Sequence, residues 1–490
     1  MTAEANAPCE DLRDWIERSQ EIGEILSISG ADPHLEVGAL DEYAFREFAG
    51  GPAILLDQLK GYNPAYRILL NQLTSVPRIA LTLNFQDPGS KMDLVRLWRK
   101  RVQSVGLLPV ERVNHGPVTE NIQEGAEVDL LQFPAPLWHE EDGGRYLGTG
   151  SLTITRDPGS GWVNVGTYRA MVHDRNKLGL YISRIKHGRR HLEKFWARGE
   201  ACPVVLSFGQ DPLLFLASSM PLPADVNELE YAGGIRGKPV KVIQGELTGL
   251  PIPAAAEIVI EGEIYPNESL PEGPFGEWTG YYASATRDEP VVHVKRLMHR
   301  NQPIITGEPP LRPPNAHTFW RTFFKSALIW NDVEAAGIPD VRGVWLDEAG
   351  GANLLMVIAI KQRYPGHALQ SAVVASQCGA GITLNRYVIV VDDDIDPTDR
   401  DQVLWAMATR SDPERSIQIL RRCFSSALDP AISPEQPRLH SRAMIDACKP
   451  FERLQQFPPE ITTNHAMFDQ VKAKWGERLE AYRRSKNNRG

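Results

Sequence analysis

The sequence predicts a mixed α/β fold in which a central split β-barrel lies between two α/β regions, and three observations carry that expectation. Between residues 151 and 298 short apolar segments follow one another in alternating patterns, the signature of strands in series. After residue 353, strand-like and helix-like segments alternate, as in a layered α/β unit. Tracts rich in Pro, Gly and Asn at 107–136 and 307–317 separate these stretches. The expected division is 1–108, 109–312 and 313–490.

In the first region Leu12, Trp15, Ile16 and Ser19 share one helical face, Pro52–Leu59 makes a short apolar strand, and Lys91–Val105 an amphipathic helix. Leu107–Pro136 reads as a connection. The barrel strands are SLTITR, WVNVGTYRAMV, GLYISRI, VVLSFG, KPVKVIQGEL, AEIVIEGEI and PVVHVKRLM. A Pro-Gly-Ser-Gly turn at 158–161 folds the first two into a hairpin. In the third region NLLMVIAIK and RYVIVVDDDID are strands, while ALQSAVVASQCGAG and RDQVLWAMATR are helices. A last helix near Phe468–Ser485 suits an arm for oligomerisation.

The chain has 490 residues, too many for one ordinary core, and a composition of 42% hydrophobic and 23% charged residues marks it as globular. Its 53 basic and 62 acidic residues are interspersed and leave a net charge of −9, so no basic stripe exists to neutralise a nucleic-acid backbone. The most apolar runs, Ile252–Ile260 and Tyr387–Val391, are too short to span a bilayer, and the acidic N-terminus lacks a signal-peptide layout. The cytoplasm is the expected location. Cys9, Cys202, Cys378, Cys423 and Cys448 form no C-x-x-C pair and read as reduced structural thiols.

Several motifs are excluded. Gly148–Gly150 reads GTG but precedes a strand, so it is no dinucleotide fingerprint, and no P-loop occurs. His187 and His191 form H-x-x-x-H, yet Gly188 stands where a zinc protease needs glutamate. The acids of Asp392–Asp396 follow a strand and precede a helix, where capping and dipole complementarity explain them better than a metal does.

Two segments carry more. In LPEGPFGEWTGYY, Glu272 and Glu277 bracket Gly-Pro-Phe-Gly. Two carboxylates on one tight loop either converge, one of them then holding a proton near neutrality, or sit exposed on a solvated turn. In WVNVGTYRAMV, Arg169 stands among apolar and small residues and calls for an anionic partner, structural or functional. Strict alternation sends Asn164 and Arg169 to opposite faces, so one site can use both only if the strand bends, the natural place being Gly166.

These segments, together with WHEEDGGRYLGTG (138–150), ASSMPLPADVNELEYAGG (217–234), VVDDDID (390–396) and WAMATR (405–410), resemble the UbiD family of decarboxylases in order across residues 106–450. The resemblance implies a flavin-binding central barrel, a C-terminal oligomerisation domain, and reversible non-oxidative loss of CO2 from an aromatic, heteroaromatic or α,β-unsaturated acid. Decarboxylation at an sp2 carbon strands an electron pair that no side chain delocalises, so an organic sink is required. The family's sink is prenylated FMN, which bonds covalently to the substrate and is made by a flavin prenyltransferase. Position by position, the resemblance assigns Asn164, His187 and Glu228 to Mn2+ or Mg2+ bridging the cofactor phosphate, a ligand set suited to a hard or borderline cation. K+ falls to Val165, Ala217, Ser218, Met220 and Glu228, and Ser219 joins the cofactor-binding set.

By the same comparison Arg169, Glu272 and Glu277 are catalytic, with Glu277 returning a proton to the carbon that CO2 leaves and Arg169 orienting cofactor and substrate. Lys186, beside the ligand His187, faces cofactor or substrate. His317 and Leu428 are further substrate contacts, His317 and Lys186 for a second polar group and Leu428 for an apolar wall. A homodimer or homohexamer is implied, with the active site between the central and C-terminal domains. Two rivals remain on the residues alone: an FMN-dependent oxidoreductase, and a cofactor-free scaffold that keeps the fold.

Overall fold

The computed structural model describes residues 7–487 apart from 49, 283, 284, 427, 434, 436 and 437. The N-terminal unit runs α1 (Leu12–Glu21), β1 (Ile25–Ser29), α2 (Glu36–Glu47), β2 (Ala53–Asp57), β3 (Arg67–Leu70), α3 (Val76–Leu83) and α4 (Lys91–Val102). Helix α1 buries Leu12, Trp15, Ile16 and Ser19, the face their spacing demands, and starts where the Asp11 carboxylate accepts the Asp14 N–H. Helix α4 opens on the same kind of cap at Ser90 and ends at Val102, earlier than its apolar periodicity suggests.

The central unit follows: β4 (Glu111–Arg112), β5 (Asn121–Glu124), β6 (Tyr146–Gly148), β7 (Leu152–Arg156), β8 (Val163–Gly166), β9 (Arg169–Asp174), β10 (Lys177–Tyr181), α5 (His187–Trp196) and β11 (Cys202–Phe208). It continues with α6 (Pro212–Ser219), α7 (Glu228–Arg236), β12 (Lys241–Gln244), β13 (Pro251–Pro253), β14 (Ile258–Glu272), β15 (Arg287–His299) and β16 (Ile304–Gly307). Eight strands in the order β6-β9-β10-β15-β14-β11-β7-β8, with β5 on β15, make one nine-stranded sheet curled into a half-barrel. Alternation along β11 explains its two faces: Val204, Leu206 and Phe208 enter one apolar core, and Val205 enters the other.

The expected β7–β8 hairpin is present, Arg156 pairing with Val163 across its turn. WVNVGTYRAMV is two strands rather than one. It breaks at Thr167 and Tyr168, beyond which β9 pairs with β10 and β6 at the far end of the sheet. The tight turn needs Gly166, because a Cβ there would come within 2.5 Å of the Tyr168 side chain. GLYISRI leaves the sheet at Tyr181, so that α5 can begin at His187. KPVKVIQGEL contributes only 241–244, and not to the half-barrel: that strand is the middle of a separate three-stranded sheet, β13-β12-β4. Residues 107–136 are more than a connection: β4 pairs with β12, β5 pairs with β15, and Val128, Leu130 and Phe133 are buried. Both strands are short and largely exposed, so no apolar alternation announces them.

The C-terminal unit comprises α8 (Ala316–Ala335), β17 (Val341–Leu346), β18 (Leu355–Ile360), α9 (His367–Gln377), β19 (Tyr387–Asp392), α10 (Arg400–Arg410), α11 (Pro413–Ser416), β20 (Ile417–Phe424), β21 (Leu439–Asp446) and α12 (His465–Asn487). The sheet order is β17-β18-β19-β21-β20. Met356, Ile358 and Ile360 of β18 pack into the core that holds α8 and α9, while Val357 and Ala359 face α10. The acidic run is structural but does not cap: Asp399 accepts the first α10 N–H groups, whereas Asp392 and Asp394 bind Arg410 at 3.0 and 2.8 Å.

The units interlock. Strand β16 lies parallel to β3 and completes the N-terminal sheet, and Trp98 of α4 meets Phe323 and Phe324 of α8 with ring centroids 6.2 and 4.8 Å apart. Among the described residues no helix is long and apolar enough to cross a membrane, and all five thiols are free.

Where β3 and β16 end side by side, Asn71, Gln72 and Glu308 are buried next to Asp41 of α2. Burial, then for Glu308 the proximity of Asp41, raises these carboxyls to about 7 for Asp41 and about 8 for Glu308. The folded chain therefore holds protons that the unfolded chain has released above the ordinary carboxyl range, so stability falls as pH rises from about 4 through 8. Unfolding free energies from urea titrations between pH 5 and 8.5 should decline by a few kcal/mol in all, and Glu308→Gln should flatten that slope.

Candidate active site

Arg169 is the first residue of β9, and the strand neighbours set what surrounds it. Tyr181 of β10 is its register partner, and at the next interface Arg287 of β15 pairs with Glu272, the last residue of β14. The Arg169 guanidinium donates to both Glu272 oxygens at 2.7 and 2.9 Å and to Glu277 at 3.1 Å. Tyr146 donates its hydroxyl to Glu272 at 3.0 Å. The Tyr181 ring lies 4.4 Å from the Arg169 guanidinium and 4.0 Å from that of Arg287. Glu272 is fully buried, which removes the solvated-turn reading for it.

Glu277 follows the cis Gly273–Pro274 turn, its N–H bonded to the Tyr281 carbonyl at 3.0 Å. Its carboxyl is raised above the usual range because burial outweighs the pull of Arg169, Arg287 and Arg321. A fixed cation thus holds one carboxylate by two bonds and a second carboxyl, with raised proton affinity, by one. That arrangement can deliver a proton while the guanidinium stays in place.

Asn164, the Gly188 N–H next to His187, and Glu228 all lie around the Tyr168 hydroxyl. The Glu228 carboxylate accepts the Val165 N–H at 2.7 Å. His187 opens α5 and Glu228 opens α7. The His187 ring is 4.9 Å from that of Trp162, just ahead of β8. Burial raises Glu228 to about 7 against the backbone N–H bonds it accepts, and among the described residues no side-chain charge contributes to that shift. The His187 imidazole is lowered, by burial and then by Arg190 and Lys186. The Asn164 amide nitrogen is buried without a closed hydrogen bond, facing the Tyr168 oxygen, which leaves the carbonyl oxygen as the free donor atom. A buried carboxylate needing positive charge, a neutral imidazole and an amide oxygen fit a divalent cation. Among the described residues no three His, Cys, Asp or Glu side chains form a metal cluster of their own.

Beside this set α6 ends at Ser219, where helix carbonyls lose their partners. Ala217 is buried, and its carbonyl accepts the Met220 N–H at 3.3 Å. Ser218 and Ser219 donate back to the carbonyls of Leu214 and Phe215. With Val165 and Glu228 adjacent, this oxygen-rich corner suits a monovalent cation.

Lys186 and His317 both lose basicity, through desolvation and then the Arg321 charge, which sets these three side chains near one another. Leu428 is not joined to them by any bond described: it is half-buried in the turn after β20, its N–H held by the Ser426 hydroxyl. The structure adds Tyr146, Tyr181, Arg287 and Arg321 to the site. Only Tyr146 lay within a recognisable segment, while the others depend on sheet register and on α8.

A half-barrel whose rim gathers two carboxyls on one arginine, beside a mixed amide, imidazole and carboxylate set, defines a carboxy-lyase. The chain belongs to the UbiD family: family models for the 3-octaprenyl-4-hydroxybenzoate carboxy-lyase N-terminal, Rift-related and C-terminal domains match residues 16–98, 111–313 and 318–447. It is 32% identical over 421 residues to the pyrrole-2-carboxylic acid decarboxylase of Pseudomonas aeruginosa, covering 82% of this chain and 83% of that protein. It is 31% identical over 447 residues to the phenolic acid decarboxylase of a Streptomyces species, covering 90% and 92%. Among solved structures, the UbiD-class enzyme HmfF from Pelotomaculum thermopropionicum in complex with FMN superposes with a TM-score of 0.83 at 28% identity, covering 92% of this chain and 97% of that one. An evolved dimeric form of HmfF with prenylated FMN gives 0.80 at 27% identity, covering 94% and 98%.

Replacing Arg169 by Leu strands the buried Glu272 and should destabilise the protein by about 3–5 kcal/mol in equilibrium unfolding. The double variant Arg169→Leu/Glu272→Leu should recover at least half of that loss. Equal losses in both would mean that the stranded Glu272 carboxylate is not the source of the destabilisation.

Proposed function

We propose that this chain is a cytoplasmic, reversible, non-oxidative decarboxylase of an aromatic, heteroaromatic or α,β-unsaturated carboxylic acid, dependent on prenylated FMN. The observation that carries the reading is the two-to-one sharing of Arg169 between Glu272 and Glu277, with the Glu277 carboxyl raised by burial. Asn164, His187 and Glu228 would hold the cofactor phosphate through Mn2+ or Mg2+, with K+ at Val165, Ala217, Ser218, Met220 and Glu228 and Ser219 alongside. When bound, prenylated FMN supplies, through a covalent link to the substrate, the electron sink that side chains lack.

The chain's own groups do the rest. Arg169 orients the substrate carboxylate and stays charged throughout, since its acidic partners raise its pKa further. Glu277 donates its proton to the carbon vacated by CO2, and solvent restores it. Tyr146 and Glu272 keep the guanidinium in place. Lys186 and His317, with Arg321 between their fields, would receive a second polar group on the ring, and Leu428 would serve as an apolar wall only if the C-terminal unit approaches on binding. The division at 108/109 and 312/313 remains our assignment of the domains.

We also propose a homodimer or homohexamer built through α12. Phe468, Val471, Trp475, Leu479 and Tyr482 of that helix are exposed at spacings of three and four residues, one apolar stripe.

Co-expression with a flavin prenyltransferase, followed by a screen of cinnamic, hydroxybenzoic, furoic, pyrrole and polycyclic acids for CO2 release, tests the activity. Glu277→Gln should lower kcat by about 100-fold or more. Activity already present without the prenyltransferase, as NAD(P)H oxidation, would favour an FMN oxidoreductase instead. In light scattering Trp475→Glu should lower the oligomeric mass, and an unchanged mass would remove α12 from the interface.

A further inference from the structure

We propose that Trp162 is a positioning residue for the cation end of the site, with Tyr168 as its counterpart on the other side of Asn164. The inference rests on the reading that Asn164, His187 and Glu228 hold the cation. Those three side chains come from separate elements, β8, α5 and α7, and one indole touches the segments that deliver all of them. Trp162 stands two positions before Asn164 on the way into β8. Its ring lies edge-on to His187 with centroids 4.9 Å apart and an interplanar angle of 69°. Its Nε1–H donates to the Val226 carbonyl at 3.0 Å. Val226 immediately precedes Asn227, whose side chain caps the helix that Glu228 opens.

The same ring is locked from behind. His191, one turn after His187, sits 5.1 Å from Trp162 at 88°, and its Nδ1 is 2.9 Å from the Thr155 hydroxyl. Thr155 is the register partner of Asn164 in the β7–β8 hairpin. The indole therefore packs against two imidazoles one turn apart on α5, of which His191 is tied to the register partner of Asn164. Tyr168 supports the opposite side. The Gly188 N–H and the Asn164 amide both face its oxygen, and a Cβ at Gly188 would lie 3.0 Å from its ring. Glycine at 188 lets the first turn of α5 rest on that ring.

Neither aromatic offers a side-chain oxygen or nitrogen suited to the cation, so their contribution is the relative placement of the three ligands. Partners that orient ligands without touching the metal typically change metal affinity by about 10- to 100-fold when removed. Trp162→Leu abolishes both ring contacts and the Val226 bond, and Trp162→Phe keeps a ring and loses only the bond.

The test uses the full-length chain with FMN and Mn2+, reading free Mn2+ by electron paramagnetic resonance, the line shape of the bound ion, and FMN affinity by fluorescence. Trp162→Leu should weaken Mn2+ binding by about 10- to 100-fold and broaden the bound-ion spectrum, with Trp162→Phe a few-fold weaker than wild type. Glu228→Gln is the control and should bind least. Wild-type Mn2+ affinity and line shape in Trp162→Leu, alongside weak binding by Glu228→Gln, would overturn the positioning role alone. Equal binding by wild type and Glu228→Gln would overturn the ligand assignment and the inference with it. If Trp162→Leu fails to fold, Trp162→Met, which fills the space without a ring or an N–H, takes its place with the same expected loss: unchanged affinity and spectrum in that variant overturn the positioning role, and Trp162→Phe reports on the Val226 bond alone.

Discussion

A link of two residues governs this architecture. Strand β8 is the last strand at one end of the central sheet and β9 lies next to the other end, yet only Thr167 and Tyr168 join them. A chain rising at most about 3.6 Å per residue cannot cross a flat sheet of that width in two residues. The sheet must curl until its ends nearly meet, and the link spans the remaining gap. Curvature of the half-barrel is thus a covalent requirement as much as a consequence of strand twist.

The same link decides where chemistry can happen. Asn164 and Arg169 end up on opposite lips of the gap, no more than about 17 Å apart along the chain. One lip collects β8, the start of α5 and the start of α7, which converge on oxygen and imidazole donors around Asn164. The other collects Arg169, Tyr181, Glu272 and Glu277 from neighbouring strands and the turn after β14. A long ligand with a phosphate at one end and a reactive ring system at the other matches two sites held apart by one strand crossing. The electrostatics are divided accordingly: buried acids without a side-chain cation at the first lip, and acids saturated by arginine at the second.

How much of this was legible in the sequence depends on the range of the interaction. The β7–β8 hairpin, α1 and α10 were readable because turn chemistry and apolar spacing are local, and RDQVLWAMATR coincides with α10 from end to end. A bend near Gly166 was readable as the condition for one site to use both Asn164 and Arg169, which sit at odd spacing. That it separates two distant strands was not, because strand order is a long-range property. Helix α8 escaped notice for a different reason. Phe319, Trp320, Phe323, Phe324, Ile329 and Trp330 are buried between α4 and the C-terminal sheet, so it is apolar around most of its circumference and shows no clean periodicity. Within the site, Arg169 and the two glutamates stood out as charges in unlikely surroundings. Tyr181 and Arg287 did not, because their role comes from register across β9, β10 and β15.

The position of α8 bears on how one catalytic rim can serve different acids. This helix is anchored at its N-terminus by the Asn315–Thr318 capping box and along its length by Trp98 from the N-terminal unit. Its first turns bring His317 and Arg321 near Lys186, while Glu308, at the seam of β3 and β16, offsets the Arg321 charge. His317 and Arg321 are therefore mounted on the C-terminal unit, whereas Arg169, Glu272 and Glu277 belong to the half-barrel and the turn after β14. Substitutions on α8 can alter the polarity around Lys186 without moving a strand of the central sheet.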